Sequence, residues 1–148
     1  MEKYLHKVAY YETDKMGITH HSNYIRWMEE ARVDFLDKVG WGFRKMEESG
    51  LASPVLNIQC SYKRSTTFDD TVEITTYIKE IGTLRMTIGY EMRKAGASEI
   101  VCTGFSEHCF FGSDGRPVRL EKDLPDFYEA MKKHLREIGK AHVLTPVT

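Results

Sequence analysis

Between Tyr10 and Arg32 the chain reads YYETDKMGITHHSNYIRWMEEAR, which gathers a carboxylate (Asp14), two adjacent imidazoles (His20 and His21), two neighbouring tyrosines and a glycine turn at Gly17. These residues lead into a stretch patterned as an amphipathic helix. A helix start exposes unpaired backbone N–H groups and carries the positive end of the helix dipole, so negative charge is stabilised there. Asp14 lies one loop upstream of that anion site. The block therefore offers an acid beside a place where negative charge can be held.

The elements that must position these groups follow from periodicity. Ser22 is the expected N-cap, and Ile25, Met28, Ala31, Phe35, Leu36 and Val39 recur at steps of three and four, which predicts a helix with one buried face. Gly40 and Gly42 end it, and Phe43 to Ser49 forms a shorter helix closed by Gly50. Strands are expected over Tyr4–Tyr11, Val55–Tyr62, Val72–Glu80, Leu84–Lys94 and Glu99–Phe111, with Leu84, Met86, Ile88, Tyr90 and Met92 pointing one way. The turns at Ile81–Thr83 and Lys94–Ser98 have hairpin length, so the pairing is antiparallel. The result is an α+β architecture, a curled antiparallel sheet covered by the long helix. A terminal surface helix is expected over about 125–139.

The length of 148 residues suits one domain spanning 1–148, with its core over about 4–125. Lys plus Arg number 21 against Asp plus Glu 22, a balance that disfavours a nucleic-acid role. Cys60, Cys102 and Cys109 form no CxxC pattern, which argues against a disulfide scaffold or a zinc site and for a reducing compartment. No signal core precedes the first strand, and no apolar run reaches the roughly 20 residues of a membrane span. The expected location is the cytoplasm.

The order strand, long helix, short helix, four strands resembles the hotdog fold, in which a sheet wraps around a central helix. The opening block is similar to the motif of the 4-hydroxybenzoyl-CoA thioesterase-like acyl-CoA thioesterases: Tyr10, the Thr13–Asp14 pair, Gly17, and the His21, Asn23, Tyr24 stretch entering the helix. YKRSTTFDD, from Tyr62 to Asp70, resembles the second strand and loop of that family. The resemblance implies that Asp14 is the catalytic carboxylate, that the His21 amide holds the thioester oxygen, and that Tyr10 assists. It also implies active sites shared between two subunits of a homodimer or tetramer. Coenzyme A enters as part of the substrate, with no separate cofactor and no metal.

Thioester hydrolysis needs an activated water or a nucleophile, and a donor for the developing oxyanion. Asp14 supplies the first, as general base or by direct attack, and the residues leave both routes open. The His21 ring takes a supporting role, and His20 has no matching position. Gly17, Asn23, Tyr24, Lys63 and Arg64 are the candidate substrate-binding residues, the last two as partners of coenzyme A phosphates. Each also has a structural reading: Asn23 as a helix-start hydrogen bonder, Tyr24 as packing, Lys63 and Arg64 as a solvated strand edge. Glu29 and Arg32 form an intrahelical pair. Two rival functions share the fold: a dehydratase or hydratase of acyl thioesters, and a non-catalytic acyl-thioester binding module. The acyl group, and whether coenzyme A or acyl carrier protein bears it, depend on pocket shape.

Overall fold

The computed structural model describes residues 2–136. Five strands, β1 (Tyr4–Lys7), β2 (Val55–Tyr62), β3 (Thr71–Ile81), β4 (Arg85–Lys94) and β5 (Ile100–Cys109), form one sheet. Their order is β1-β3-β4-β5-β2, with every neighbouring pair antiparallel. Helices α1 (Ser22–Lys38) and α2 (Phe43–Glu48) lie between β1 and β2, and α3 (Leu120–Asp123) and α4 (Pro125–Lys132) follow β5. This is the expected α+β arrangement of a curled sheet around a long helix.

Alternation along β4 buries Met86, Ile88, Tyr90 and Met92, and β3 adds Val72, Ile74 and Ile78. Onto this face α1 packs Trp27, Met28, Ala31 and Phe35, at the spacing that puts side chains on one helical stripe. Close approach is set by Gly104 on β5. A Cβ there would sit 2.5 Å from the Gln59 carbonyl oxygen and 3.1 Å from both Cε and Sδ of Met28.

Several elements depart from expectation. The first strand ends at Lys7, and the chain then makes a 3-10 turn over Tyr10–Glu12. The Glu12 N–H donates to the Ala9 carbonyl at 2.9 Å, and Ala9 N–H donates back to Glu12 Oε1 at 2.8 Å. Those local bonds displace strand pairing. His21, not Ser22, is the N-cap of α1, because the Ser22 Oγ is paired with His20 Nδ1 at 2.9 Å. Tyr24 and Trp27 are buried while Ile25 faces outward, so the inner stripe is rotated from the expected one. Leu84 lies before β4 and is 44% exposed, outside the buried row that begins at Met86.

The terminal helix is also more than a surface element. In α4, Phe127 and Met131 are fully buried, and the Phe127 ring packs edge-on against Trp41 and Phe110, each at 5.2 Å. The helix ends at Lys132, after which His134 and Arg136 exchange backbone hydrogen bonds with Ile78 of β3. Positions 137–139 of the expected helix lie outside the described residues.

Candidate active site

Asp14 sits in a loop closed by its own backbone. The Asp14 N–H donates to the Ile18 carbonyl at 2.8 Å, the Gly17 N–H donates to the Asp14 carbonyl at 2.9 Å, and Thr13 bridges Thr19. Gly17 has φ +79°, a left-handed conformation that glycine adopts without steric cost, and a Cβ there would touch nothing within 4 Å. The turn aims the Met16 N–H at Asp14 Oδ1, 2.8 Å away, which is the Asx arrangement that aspartate favours. Among the described residues the other carboxylate oxygen has no partner, and the side chain is half-buried.

A second loop braces this one. The Thr19 N–H donates to the Thr66 carbonyl at 2.9 Å, and the Thr67 hydroxyl donates to the Gly17 carbonyl at 2.8 Å. Beneath them the hydroxyls of Thr19 and Thr66 pair at 2.7 Å, and the Tyr24 hydroxyl joins Thr66 Oγ1 at 2.9 Å. Burial pushes the Tyr24 phenol above its ordinary range. Tyr24 is therefore a buried strut of the site floor.

At the helix start the His20 and His21 carbonyls accept from Asn23 N–H at 3.0 Å and Tyr24 N–H at 3.2 Å. The His21 N–H precedes the first helical turn, and no carbonyl among the described residues accepts from it. The Asn23 side chain donates from Nδ2 to the Glu12 carbonyl at 3.0 Å and to the His20 carbonyl at 3.2 Å. The two imidazoles stack with centroids 4.3 Å apart, both on the exposed surface.

Sequence reasoning missed Glu12. Its carboxylate is 5% exposed and accepts three hydrogen bonds: from His6 Nε2 at 2.9 Å, Ala9 N–H at 2.8 Å and Trp27 Nε1 at 2.9 Å. Burial raises its pKa, but the His6, Ala9 and Trp27 donors outweigh burial and hold it below the usual carboxylate value. His6 continues the chain, its Nδ1 lying 3.2 Å from Glu30 Oε1, which also accepts from the Tyr4 hydroxyl at 2.7 Å. Burial, and next the bond to Glu30, push the Tyr4 hydroxyl up to about 12. No local pattern marks Glu12, because His6 and Trp27 stand six and fifteen residues away in sequence.

The profile of the thioesterase-like superfamily matches residues 8–135, a span that contains Glu12, Asp14, Gly17, His21, Asn23, Tyr24, Thr66 and Thr67. The chain belongs to that superfamily. A Bacillus subtilis relative, YneP, provisionally named an acyl-CoA thioesterase, is 33% identical over 128 residues, covering 86% of this chain and 92% of its own. The 1,4-dihydroxy-2-naphthoyl-CoA hydrolase of Thermosynechococcus vestitus is 23% identical over 138 residues, covering 93% of this chain and 92% of its own. In three dimensions the DHNA-CoA thioesterase from Staphylococcus aureus superposes with a TM-score of 0.80 at 30% identity, covering 99% of this chain and 96% of that one. The fold is the hotdog fold of these thioester hydrolases.

Within this superfamily member the remaining candidates are dispersed. Tyr10 is 76% exposed, and its ring packs edge-on against Phe68 at 5.8 Å. Its link to the loop is its carbonyl, which accepts from Thr13 N–H at 3.1 Å and Thr13 Oγ1 at 2.7 Å. Arg64 is tied to Glu99 at 2.7 Å on the surface, whereas the exposed Lys63 has no ion-pair partner among the described residues. Glu29 and Arg32 form the expected intrahelical pair. Among the described residues no group of three or more His, Cys, Asp or Glu side chains is arranged to hold a metal ion. No described helix is long and apolar enough to cross a membrane. Asp14, Gly17, His21 and Asn23 thus share one end of α1, with Thr66 and Thr67 as their support.

Proposed function

We propose that this chain hydrolyses an acyl-CoA thioester to free acid and thiol, with Asp14 as the reacting carboxylate and the His21 N–H as oxyanion donor. The observation that carries this reading is the pairing of a half-buried carboxylate, held through one oxygen and open at the other, with an unpaired amide at a helix start. The open oxygen takes a proton from the water that attacks the thioester carbonyl, or attacks that carbonyl itself to form an anhydride that water then cleaves. In either route the C–S bond breaks and the thiol leaves with a proton from that water. The amide then holds the charge that develops on the carbonyl oxygen. The His21 ring and Tyr10 assist at the rim, Gly17, Asn23 and Tyr24 shape the substrate's seat, and the reaction so written needs no metal or separate cofactor. Lys63 is the first partner for a coenzyme A phosphate, and Arg64 joins once it leaves Glu99.

Two features support a working homodimer. Around Asp14 the isolated chain exposes Tyr10, Met16 and Tyr11, the last two by 76% and 87%. Apolar side chains in that number call for a cover. At one edge of the sheet, β2 offers eight uncharged residues, VLNIQCSY, to a second copy, whereas β1 at the other edge is only four residues long, YLHK, and carries the Lys3–Glu73 ion pair just before it and the Lys7–Asp69 ion pair at its end. Edge-to-edge pairing of β2 strands, and pairing of two such dimers into a tetramer, fits this asymmetry.

Thiol release from a panel of acyl-CoA and acyl carrier protein thioesters tests the function. Asp14→Asn and Asp14→Ala should each lower hydrolysis by about a hundredfold or more, the scale of losing a general base or nucleophile. His21→Ala should cost less, because the backbone donor survives. Full activity in folded Asp14→Ala would overturn the assignment, and binding of acyl-CoA without thiol release by wild type would favour a binding module.

A further inference from the structure

The two reacting groups of the site hang from one peptide. The Glu12 carbonyl accepts the His20 N–H at 2.8 Å and Asn23 Nδ2 at 3.0 Å. The chain leaving Glu12 runs through Thr13 to Asp14, and the chain returning through Thr19 and His20 delivers His21. The separation of carboxylate and amide is thus referred to the position of the Glu12 backbone. That position is fixed from below, since the Glu12 side chain is locked to β1 through His6, to the turn through Ala9 N–H and to α1 through Trp27.

We propose that Glu12 is the positioning residue of this site, its buried carboxylate setting the distance between the Asp14 carboxylate and the His21 amide without itself touching substrate. This rests on the thioesterase reading above. A glutamine cannot replace it. All three partners donate, and an amide offers one accepting oxygen and one donating nitrogen, so at least one N–H is left facing another donor. The base of the loop must then shift. Catalysis by two groups held in register is sensitive to shifts well under the length of a bond to water, and about 1 Å costs on the order of a hundredfold.

The experiment compares wild type, Glu12→Gln, Asp14→Asn and a control, Met131→Ala, which removes a buried apolar side chain on α4, an element that contributes no residue to the site. For each, kcat and KM for acyl-CoA are measured well below its melting midpoint. Glu12→Gln should lower kcat on the order of tenfold or more while KM stays within about twofold, the signature of an interaction used in the transition state. Met131→Ala should lose melting temperature with kcat kept. If Glu12→Gln keeps the wild-type kcat, or loses no more than Met131→Ala at matched melting temperature, Glu12 is merely structural and the proposal falls. If Glu12→Gln does not fold, Trp27→Phe decides, because it deletes one donor to the carboxylate and keeps an aromatic ring: a folded Trp27→Phe with unchanged kcat overturns the proposal, and a fall in kcat at constant KM supports it. Failure of the thioesterase reading has a different mark, absence of thiol release by wild type or full activity in Asp14→Asn.

Discussion

Taking a carboxylate out of water costs several kcal/mol unless hydrogen bonds offset it, and both oxygens of Glu12 are hydrogen-bonded, by three donors. His108 solves the same problem by staying neutral. It is fully buried, with Nε2 2.7 Å from Ser106 Oγ, which pairs with the Tyr90 hydroxyl at 2.8 Å. Burial, and next the charge of Arg32, lower its pKa to about 4 from 6.5. Below 6.5 the unfolded chain takes up a proton that the folded chain refuses until about 4, so stability must fall as pH drops through that window. At 1.36 kcal/mol per unit, the loss from this one group approaches ~3 kcal/mol. Urea unfolding of wild type and His108→Gln at pH 7 and pH 4.5 checks it: the substitution should narrow the difference between the two curves, the remainder coming from groups such as His134 and Glu12 whose pKa values folding also lowers.

At the scale of elements, the sheet and α1 are separated by what Gly104 permits. Gly104→Ala would drive a methyl into the Gln59 carbonyl and the Met28 thioether. Overpacking of this kind costs about 1–3 kcal/mol, and a lowered denaturation midpoint is the expected result. The strands were legible in the sequence because alternation is local: Met86, Ile88, Tyr90 and Met92 announce a buried face by themselves. The Asp14 loop was legible too, since Asp and Gly three residues apart encode their own turn. Tyr4–Tyr11 was not, because the strand yields at Lys7 to a turn whose bonds involve the Glu12 side chain. Glu12 itself reads as one more acid beside a turn. Its meaning lies in contacts with His6 and Trp27, which exist only after β1 and α1 have come together.

For the whole molecule, the dimer proposed above would cover both the exposed crest at Tyr10, Tyr11 and Met16 and the bare edge of β2 with a second copy. Leu56 is exposed at the register shift of that edge, so Leu56→Lys would place a charge in the proposed seam without entering the core of the chain. Sedimentation should then show a smaller species, and thiol release should fall with it. Loss of the dimer with full activity would mean that one chain holds a complete site.

The single peptide that carries both ends of the Asp14 loop also limits how such an enzyme can diversify. Because Glu12 accepts from His20 across the loop's neck, residues between them form a closed ring of fixed circumference, laced to Thr66 and Thr67 on its outer side. An insertion or deletion in that ring alters the reach of the carboxylate and its alignment with the amide together. New substrates would therefore have to be won on residues outside the ring, while the ring keeps its length.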